Sequence, residues 1–362
     1  MSEINKTKVL VGLSGGVDSS VAAILLKEKG YEVIGATMAI WGENKVTPQG
    51  HVKSKNACYS PDEAEDIKEA ENIAKKIGIP YHVIHCENEY EEIVLKNFRE
   101  EYLNGNTPNP CVRCNSEIKF KALPLISKQN GIIFDKFATG HYARIEEKDG
   151  KFYLKKALDD KKDQSYFLYR LKQEQLKNIL FPLGELTKVK VREKAKEYGL
   201  EVYDKKDSQD FYSGSYNDLL NIKEIEGNIV DENGKILGRH KGYFNYTTGQ
   251  RKGLQISSPE PLYVIKLDKE KNEVIVGKVD STFKKEVSIK DTNWIAEPPK
   301  SGTKVLAKVR SAMAPKDAVI EVIDGKYRII FDEYLKSPAK GQSAVIYDGE
   351  YLLGGGIIDE IK

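Results

Sequence analysis

Two short stretches carry residues whose types and spacing can do chemistry. The first is SGGVDSS, Ser14 to Ser20. Its two glycines let a ligand approach the backbone closely, its serines Ser14, Ser19 and Ser20 offer hydroxyl donors, and Asp18 offers a carboxylate as a candidate Mg²⁺ contact. An apolar strand pattern, KVLVGL, precedes it, and an apolar helix pattern, VAAILLKEKG, follows. A strand, glycine-rich loop and helix in that order aim backbone N–H groups and the helix N-terminus at an anion. The spacing is not GxxxxGK[ST], so this is not the Walker loop. Phosphate binding is the chemistry such a loop can do; a serine-capped tight turn is the structural alternative.

The second stretch is NGNTPNPCVRCNSEIKFKAL, 104 to 123. Pro108 and Pro110 stiffen an extended segment, because residues before proline avoid the helical region. Cys111 and Cys114 follow in C-x-x-C spacing at the entry to a helix. A helix N-terminus together with Arg113 and Lys119 predicts a lowered thiol pKa and thiolate character. Half of a zinc site, or two buried thiols, are the alternatives. The chain has two further cysteines. Cys58 lies in NACYSPDE just before a helical pattern, and Cys86 ends the apolar run IPYHVIHC, where it reads as core.

The elements that must position these residues follow from periodicity. Residues 7 to 145 alternate strand-like and helix-like segments, which predicts a doubly wound parallel sheet. Ligands bind such sheets beyond the carboxyl ends of the strands, the edge where SGGVDSS, the 42–60 loop and the start of GHYAR all fall. Residues 163 to 200 read as helical. Beyond a polar stretch near 205–215 the pattern becomes short strands punctuated by ENG, DGK and DGE, which predicts antiparallel β structure. A weaker boundary falls near 280. The expected domains are 1–210 (α/β), 211–279 (small, mainly β) and 280–362 (antiparallel β-barrel).

The chain has 362 residues, more than one core usually serves. Lys+Arg number 57 and Asp+Glu 55, a net +2, which excludes a chain-wide basic coat but leaves local patches open to a polyanion. The segments KKALDDKKDQ (155–164), RHK (239–241) and QRK (250–252) are such patches, each also readable as solvated surface. No stretch is long and apolar enough to span a bilayer, and the N-terminus lacks an apolar signal core. The expectation is a soluble cytoplasmic protein.

SGGVDSS at the first strand–helix turn resembles the pyrophosphate loop (PP-loop) of ATP pyrophosphatases, whose fold is adenine nucleotide alpha hydrolase-like. TPNPCVRCNSEIKF resembles the corresponding stretch of the bacterial tRNA-specific 2-thiouridylases. ATGHYAR, KDQSYFL, FPLGELTK, KDSQDF, YTTGQRKGL, PLYVIKLD and GQSAVIYDGEYLLGGGII agree with that family along nearly the whole chain. The resemblance implies a nucleotide-binding N-terminal domain, a small central domain and a C-terminal β-barrel. It implies ATP with Mg²⁺, and that Gly12, Leu13, Ser14, Gly15, Gly16, Val17, Asp18 and Ser19 hold ATP with Met38 and Gly140. It places Asn109, Pro110 and Cys111 at the target base, and makes Cys114 the nucleophile, with Cys111 beside it. It sets Lys162, Asp163 and Gln164, and Arg310 of the barrel, against tRNA. The implied reaction adenylates O2 of a uridine, by family resemblance the wobble uridine, and replaces it with sulfur from a donor protein or inorganic sulfide.

The chain departs from the family in two places. Tyr212 stands where the family carries its second cysteine, two residues after the acidic position of DSQ[DE], and Ser311 stands where tyrosine is frequent beside the barrel arginine. A tyrosine cannot resolve a persulfide. Cys58, Cys111 and Cys114 are therefore a candidate ligand set for a [4Fe–4S] cluster with one iron open to sulfide. A persulfide on Cys114 or Cys111 and a four-cysteine zinc site that adds Cys86 are the alternatives. Two other readings stand beside thiolation. One is a different adenylating PP-loop enzyme, against which the paired thiols argue. The other is a catalytically altered tRNA-binding paralogue, against which the intact loop argues.

Overall fold

The computed structural model describes residues 6–42, 57–205, 210–212, 214, 216–220 and 222–362. Residues 206–209 of KDSQDF and most of the 42–60 loop lie outside these. The chain divides into two compact units. The first comprises Met1–Val94, Cys111–Gly214 and Glu350–Leu352; the second comprises Leu95–Pro110, Ser215–Gly349 and Leu353–Lys362.

The first unit is built on a five-stranded parallel sheet. Strand β1 (Lys8–Gly12) lies at its centre, with Val9, Leu10 and Val11 fully buried. A continuous apolar run is what a strand covered on both faces requires. Helix α1 (Val17–Glu28) follows, then β2 (Glu32–Ala39), a short strand β3 (Ala57–Tyr59), helix α2 (Glu63–Ile77) and β4 (Tyr81–His85). Helix α2 buries Ala70, Ile73, Ala74 and Ile77, one stripe at 3.6-residue spacing. It ends at Gly78 in the left-handed region (φ 72°). From β1 the sheet grows outward through β2 to β4, and on the other side through strand Lys136–Ala138 to strand Ile179–Leu180. Every pairing in it is parallel. The direction of growth reverses at β1, between it and Lys136–Ala138, and that reversal is the topological switch point where ligands bind.

Two segments of this unit differ from the sequence reading. Residues 163–180, expected as helix, form a 3₁₀ turn (Ser165–Leu168), one helical turn (Gln173–Leu176) and strand Ile179–Leu180. Residues Ala143–Lys148 and Lys151–Lys156 form an antiparallel hairpin. In both cysteine-flanking helices the winding loosens. Helix Glu87–Glu89 runs through a π segment, Tyr90–Leu95, into Lys96–Leu103. Helix Pro110–Arg113 runs through a second, Cys114–Ala122, into Leu123–Gln129. Such segments concentrate at functional sites.

The second unit holds the antiparallel β structure expected beyond residue 215. One sheet contains the hairpins Gly227–Asp231/Ile236–His240 and Tyr263–Asp268/Glu273–Gly277, joined by parallel pairing of Gly227–Asp231 with Glu273–Gly277. The other is a closed barrel of strands Phe283–Trp294, Lys304–Lys308, Lys316–Ile323, Lys326–Lys336, Ser343–Asp348 and Tyr351–Ile361. Antiparallel pairing of Val287 with Ile361 and of Trp294 with Gly354 closes it. Its interior is filled by Val287, Ile320, Ile329, Phe331, Ala344 and Ile346, all fully buried. Closure removes the free edges that a sheet of this size otherwise exposes.

Candidate active site

The loop between β1 and α1 is held open by its own side chains. The backbone N–H of Ser14 donates to Ser19 Oγ at 3.1 Å, and Ser20 Oγ donates to the Gly16 carbonyl at 2.8 Å. Gly16 is the N-cap and has no side chain to bond the first amides of α1. Those amides and the positive end of the helix dipole therefore face a ligand. Gly15 has φ 69°, and a Cβ there would stand 2.9 Å from the Asp66 carbonyl oxygen. Across the switch point, the turn after strand Lys136–Ala138 rests directly on the loop. A Cβ on Gly140 would stand 2.6 Å from the Ser19 nitrogen, so no larger residue fits there.

Loop and turn enclose a cavity of about 320 Å³. Gly12, Leu13, Ser14, Gly16, Val17, Asp18, Ser19, Met38 and Gly140, all read from the sequence as nucleotide contacts, line it, as do Cys58, Lys119, Lys162 and Gln164. Gly15 shapes the loop from behind, against Asp66. The floor is set by hydrogen bonds: Thr37 Oγ1 donates to the Leu13 carbonyl at 2.7 Å, and Tyr81 Oη donates to Thr37 Oγ1 at 2.7 Å. Glu63 accepts from the amides of Ile40 and Trp41 at 2.7 and 3.0 Å, which fixes the chain leaving β2. Burial raises the Glu63 pKa against those two bonds.

Asp18 is not open to a cation in this structure. Both its carboxylate oxygens lie 2.8 Å from Lys188 Nζ, and Tyr142 Oη donates to it at 2.9 Å. Asp18, read from the sequence as a candidate magnesium contact, is thus paired with a cation of the chain itself. Lys188 and Tyr142 escaped sequence reasoning because they are 170 and 124 residues away in the chain. His141 is buried, its Nδ1 2.7 Å from Thr139 Oγ1. Burial, assisted by the charge of Lys119, holds its pKa well below the ordinary range, so the ring is neutral.

The thiols also differ from expectation. Cys114 is buried and lies inside the continuous helix begun at Pro110, not at its start. Burial pushes the Cys114 thiol up to about 11, with Lys119 opposing and Cys58 adding to the rise. Cys111 is pushed up to about 12 by burial, Cys58 and Cys114, again with Lys119 opposing. The expected thiolates are thus neutral thiols here, because desolvation outweighs the charge of Lys119. Cys86 is fully buried core, as read, and is pushed up to about 12. Cys58 is exposed. Cys58, Cys111 and Cys114 all bear electrostatically on the buried Tyr90, so the three thiols share one neighbourhood. Among the described residues, however, no three Cys, His, Asp or Glu side chains are arranged to hold a metal ion.

Tyr212, the residue in place of the family cysteine, is buried in an aromatic group. Its ring centroid is 6.5 Å from Trp41 and 5.9 Å from Tyr59. Strand Asp210–Tyr212 pairs in parallel with β3, Tyr59 opposite Tyr212. Cys58 therefore sits on the strand next to the position that lacks a thiol.

The remaining residues read as tRNA contacts fall in several places. Lys162 and Gln164 line the cavity, and Gln164 Oε1 accepts from the Tyr142 amide at 2.9 Å. Asp163 faces inward instead: it accepts from the Ala157 amide at 3.1 Å and from Ser165 Oγ at 2.8 Å, holding a turn. Asn109 and Pro110 directly precede Cys111, and Pro110 opens its helix, a position where proline loses no hydrogen bond. In the second unit, Arg310 is exposed, and its guanidinium donates to the carbonyls of Ser337 and Thr248. Of the basic patches, Lys155 is paired with Glu146 and Glu350, Lys241 with Glu224, and His240 is buried.

A parallel sheet with an uncapped glycine loop at its switch point, joined to a β unit with a closed barrel, defines a nucleotide-binding α/β enzyme with β appendages. Three family models match in sequence order: tRNA methyl transferase HUP domain over residues 7–212, tRNA methyl transferase PRC-barrel domain over 219–278, and Aminomethyltransferase beta-barrel domain over 284–358. The chain is 46% identical over 357 residues to the tRNA-specific 2-thiouridylase MnmA of Endomicrobium trichonymphae, covering 97% of this chain and 98% of that one. It is 44% identical to the protein of that name from Clostridium botulinum (strain Alaska E43 / Type E3), covering 99% of both. The chain belongs to the tRNA-specific 2-thiouridylase family. Among solved structures, NMN synthetase from Francisella tularensis covers 56% of this chain and 66% of its own at 17% identity and a TM-score of 0.32, a likeness too slight to argue from.

Proposed function

We propose that this protein is an ATP-dependent tRNA-uridine 2-sulfurtransferase that makes 2-thiouridine, at the wobble position, in the cytoplasm. The observation that carries this reading is one cavity lined by the SGGVDSS loop, Cys58 and Lys119, with Cys111 and Cys114 close enough to respond to the Lys119 charge. A thiol pair has no use in an adenylating enzyme that forms an amide. It has one where sulfur must reach an activated carbon.

The loop amides and serines hold the leaving pyrophosphate, with Mg²⁺ neutralising it. Uracil O2 is a poor leaving group until it carries AMP; sulfur then attacks C2 and AMP departs. The base must leave its stack to reach the cavity, and tRNA is held chiefly by shape and phosphates. Asn109, Pro110, Lys162, Gln164 and Arg310 belong to that contact. Among the described residues no helix is long and apolar enough to cross a membrane. Sulfur arrives as the outer sulfur of a donor protein's persulfide and passes to Cys114 or Cys111 with release of the donor thiol. After it attacks C2 and AMP departs, the other thiol of the pair displaces it from the enzyme, closing a Cys111–Cys114 disulfide that an external dithiol reduces. Sulfide supplied free attacks C2 directly and needs no persulfide. Delivery by a cluster on Cys58, Cys111 and Cys114 is the alternative outcome of the test.

The test is thiolation of an unmodified tRNA transcript with ATP, Mg²⁺ and either sulfide or a persulfide-loaded donor protein with a dithiol reductant, with 2-thiouridine read by mass spectrometry. Iron and acid-labile sulfide are measured on the same anaerobic preparation. ATP-dependent 2-thiouridine formed without iron from the persulfide-loaded donor supports the persulfide route; about four irons per chain, the content of one [4Fe–4S] cluster, lost in Cys58→Ala, supports the cluster. Absence of 2-thiouridine under every condition overturns the function.

A further inference from the structure

Three lysines line the cavity: Lys119, Lys162 and Lys205. Lys205 is committed to Glu69 and Asp66. Lys162 lies in the turn that begins at Asp159, its amide bonded to that carbonyl. Lys119 differs from both. It is half-buried and has no ion pair or hydrogen bond through its ammonium among the described residues. An ammonium placed in a cavity wall with no anion of its own marks where a ligand anion belongs.

Its placement follows from the local winding. Lys119 is five residues after Cys114, in the π segment Cys114–Ala122. In an α-helix of 3.6 residues per turn, five residues leave two side chains about 140° apart. In a helix with i→i+5 hydrogen bonds the turn is wider, and residues five apart come much closer to one face. The π segment therefore turns Lys119 toward the side of the helix that carries Cys114. The electrostatics agree: Lys119 is the cation whose charge bears on Cys111, Cys114 and His141 together. His141 in turn follows Gly140, which rests on the loop at Ser19. Lys119 thus stands between the anion loop and the thiols.

We propose that Lys119 is a catalytic residue of the adenylation step, its ammonium touching the α-phosphate of ATP and carrying the charge of that group during transfer. This rests on the function proposed above. In that reaction the leaving pyrophosphate sits at the loop, and the base must lie within reach of the thiols. The reacting phosphorus then lies between them, at the position Lys119 faces. Uracil O2 attacks the α-phosphorus and the bond from phosphorus to the bridging oxygen breaks. Pyrophosphate leaves with that electron pair, and the N3 proton passes to solvent. Negative charge grows on the equatorial oxygens, and a cation already in place at that point stabilises the transition state more than bound ATP.

The test uses the full chain as wild type, Lys119→Met and Lys119→Arg. Two quantities are read: equilibrium ATP binding, and tRNA-dependent pyrophosphate release without a sulfur donor. Lys119→Met is expected to bind ATP within about threefold of wild type and to release pyrophosphate about 100-fold more slowly at saturating ATP, the usual loss on removing one transition-state donor. Lys119→Arg is expected to recover most of the rate. Pyrophosphate release by Lys119→Met at the wild-type rate overturns the proposal. So does a loss confined to ATP affinity, which makes Lys119 a ground-state binding residue. Absence of tRNA-dependent pyrophosphate release in the wild type overturns the function itself and this role with it. ATP binding separates that case, since it persists in a nucleotide-binding protein of other function.

Discussion

The ammonium of Lys188 lies 2.8 Å from each carboxylate oxygen of Asp18, with the lysine side chain 10% and the aspartate side chain 27% exposed. The pair pins the first turn of α1 to helix Lys188–Glu197, and so fixes the loop that faces the nucleotide. Removing one partner of a largely buried pair leaves an uncompensated charge, which costs about 3 kcal/mol or more. Lys188→Met is expected to lower stability by that amount in urea denaturation. The double variant Asp18→Asn/Lys188→Met is expected to recover part of the loss, because the stranded charge is gone. A single variant as stable as wild type would show that the pair contributes nothing.

A second prediction concerns Gly140. A Cβ there meets backbone, the Ser19 nitrogen at 2.6 Å and the Asp18 carbonyl carbon at 2.7 Å, and backbone cannot swing aside as a long side chain can. Gly140→Ala must push the turn off the loop, at about 1–3 kcal/mol of stability. ATP affinity is expected to fall at least tenfold, since loop and turn form opposite walls of one cavity. Calorimetric titration with ATP checks this; unchanged affinity would mean that the turn moves independently of the site.

Thiol reactivity gives a third. At pH 8 a thiol pushed up to about 11, as Cys114 is, is thiolate in roughly one molecule in a thousand. Cys111 and Cys86, pushed up to about 12, are thiolate less often still. Only the thiolate alkylates. Iodoacetamide at pH 8 is therefore expected to label the exposed Cys58 first. Labelling of Cys114 should rise about tenfold per pH unit and level off only as the pH passes 11, where its thiol ionises. Peptide mass spectrometry at several pH values measures this. Rapid labelling of Cys114 at neutral pH would mean that the site opens in solution.

The anion loop, helix α2 and the C-terminal hairpins were legible in the sequence because each carries its signal locally. SGGVDSS joins a strand to a helix, α2 keeps one apolar stripe, and the hairpins turn at paired polar and glycine residues. Residues 163–180 misled because Ser165, Tyr166, Leu168, Tyr169 and Leu171 are all buried; where nearly every residue is buried, periodicity cannot separate helix from turn. The hairpin Ala143–Lys156 carries a signal that was passed over: Asp149 and Gly150 both have positive φ, 53° and 72°, the backbone that an Asp-Gly turn supplies. Strand Phe283–Trp294 was passed over too, because shifts in register along it break the period of two. At the site, the cysteines and the loop were legible as residue types. Their electrostatic state was not, because it depends on burial set by the whole fold.

The last prediction joins Tyr212 to Cys58. Tyr212 is 2% exposed, stacks with Trp41 and pairs in register with Tyr59. Truncating a buried aromatic ring costs about 3–5 kcal/mol, so Tyr212→Cys is expected to destabilise the first unit by close to that amount. It also returns a thiol to the position where the family carries one, on the strand beside Cys58. If Cys58 supplies the sulfur-handling thiol that position 212 lacks, Cys58→Ala abolishes 2-thiouridine formation while ATP binding persists. Cys58→Ala/Tyr212→Cys then regains part of the activity, assayed below its lowered melting temperature. Full activity in Cys58→Ala alone would remove Cys58 from the reaction and leave sulfur transfer to Cys111 and Cys114. A dead double variant that still binds ATP and melts cooperatively would show that a thiol on strand Asp210–Tyr212 cannot reach the place Cys58 occupies.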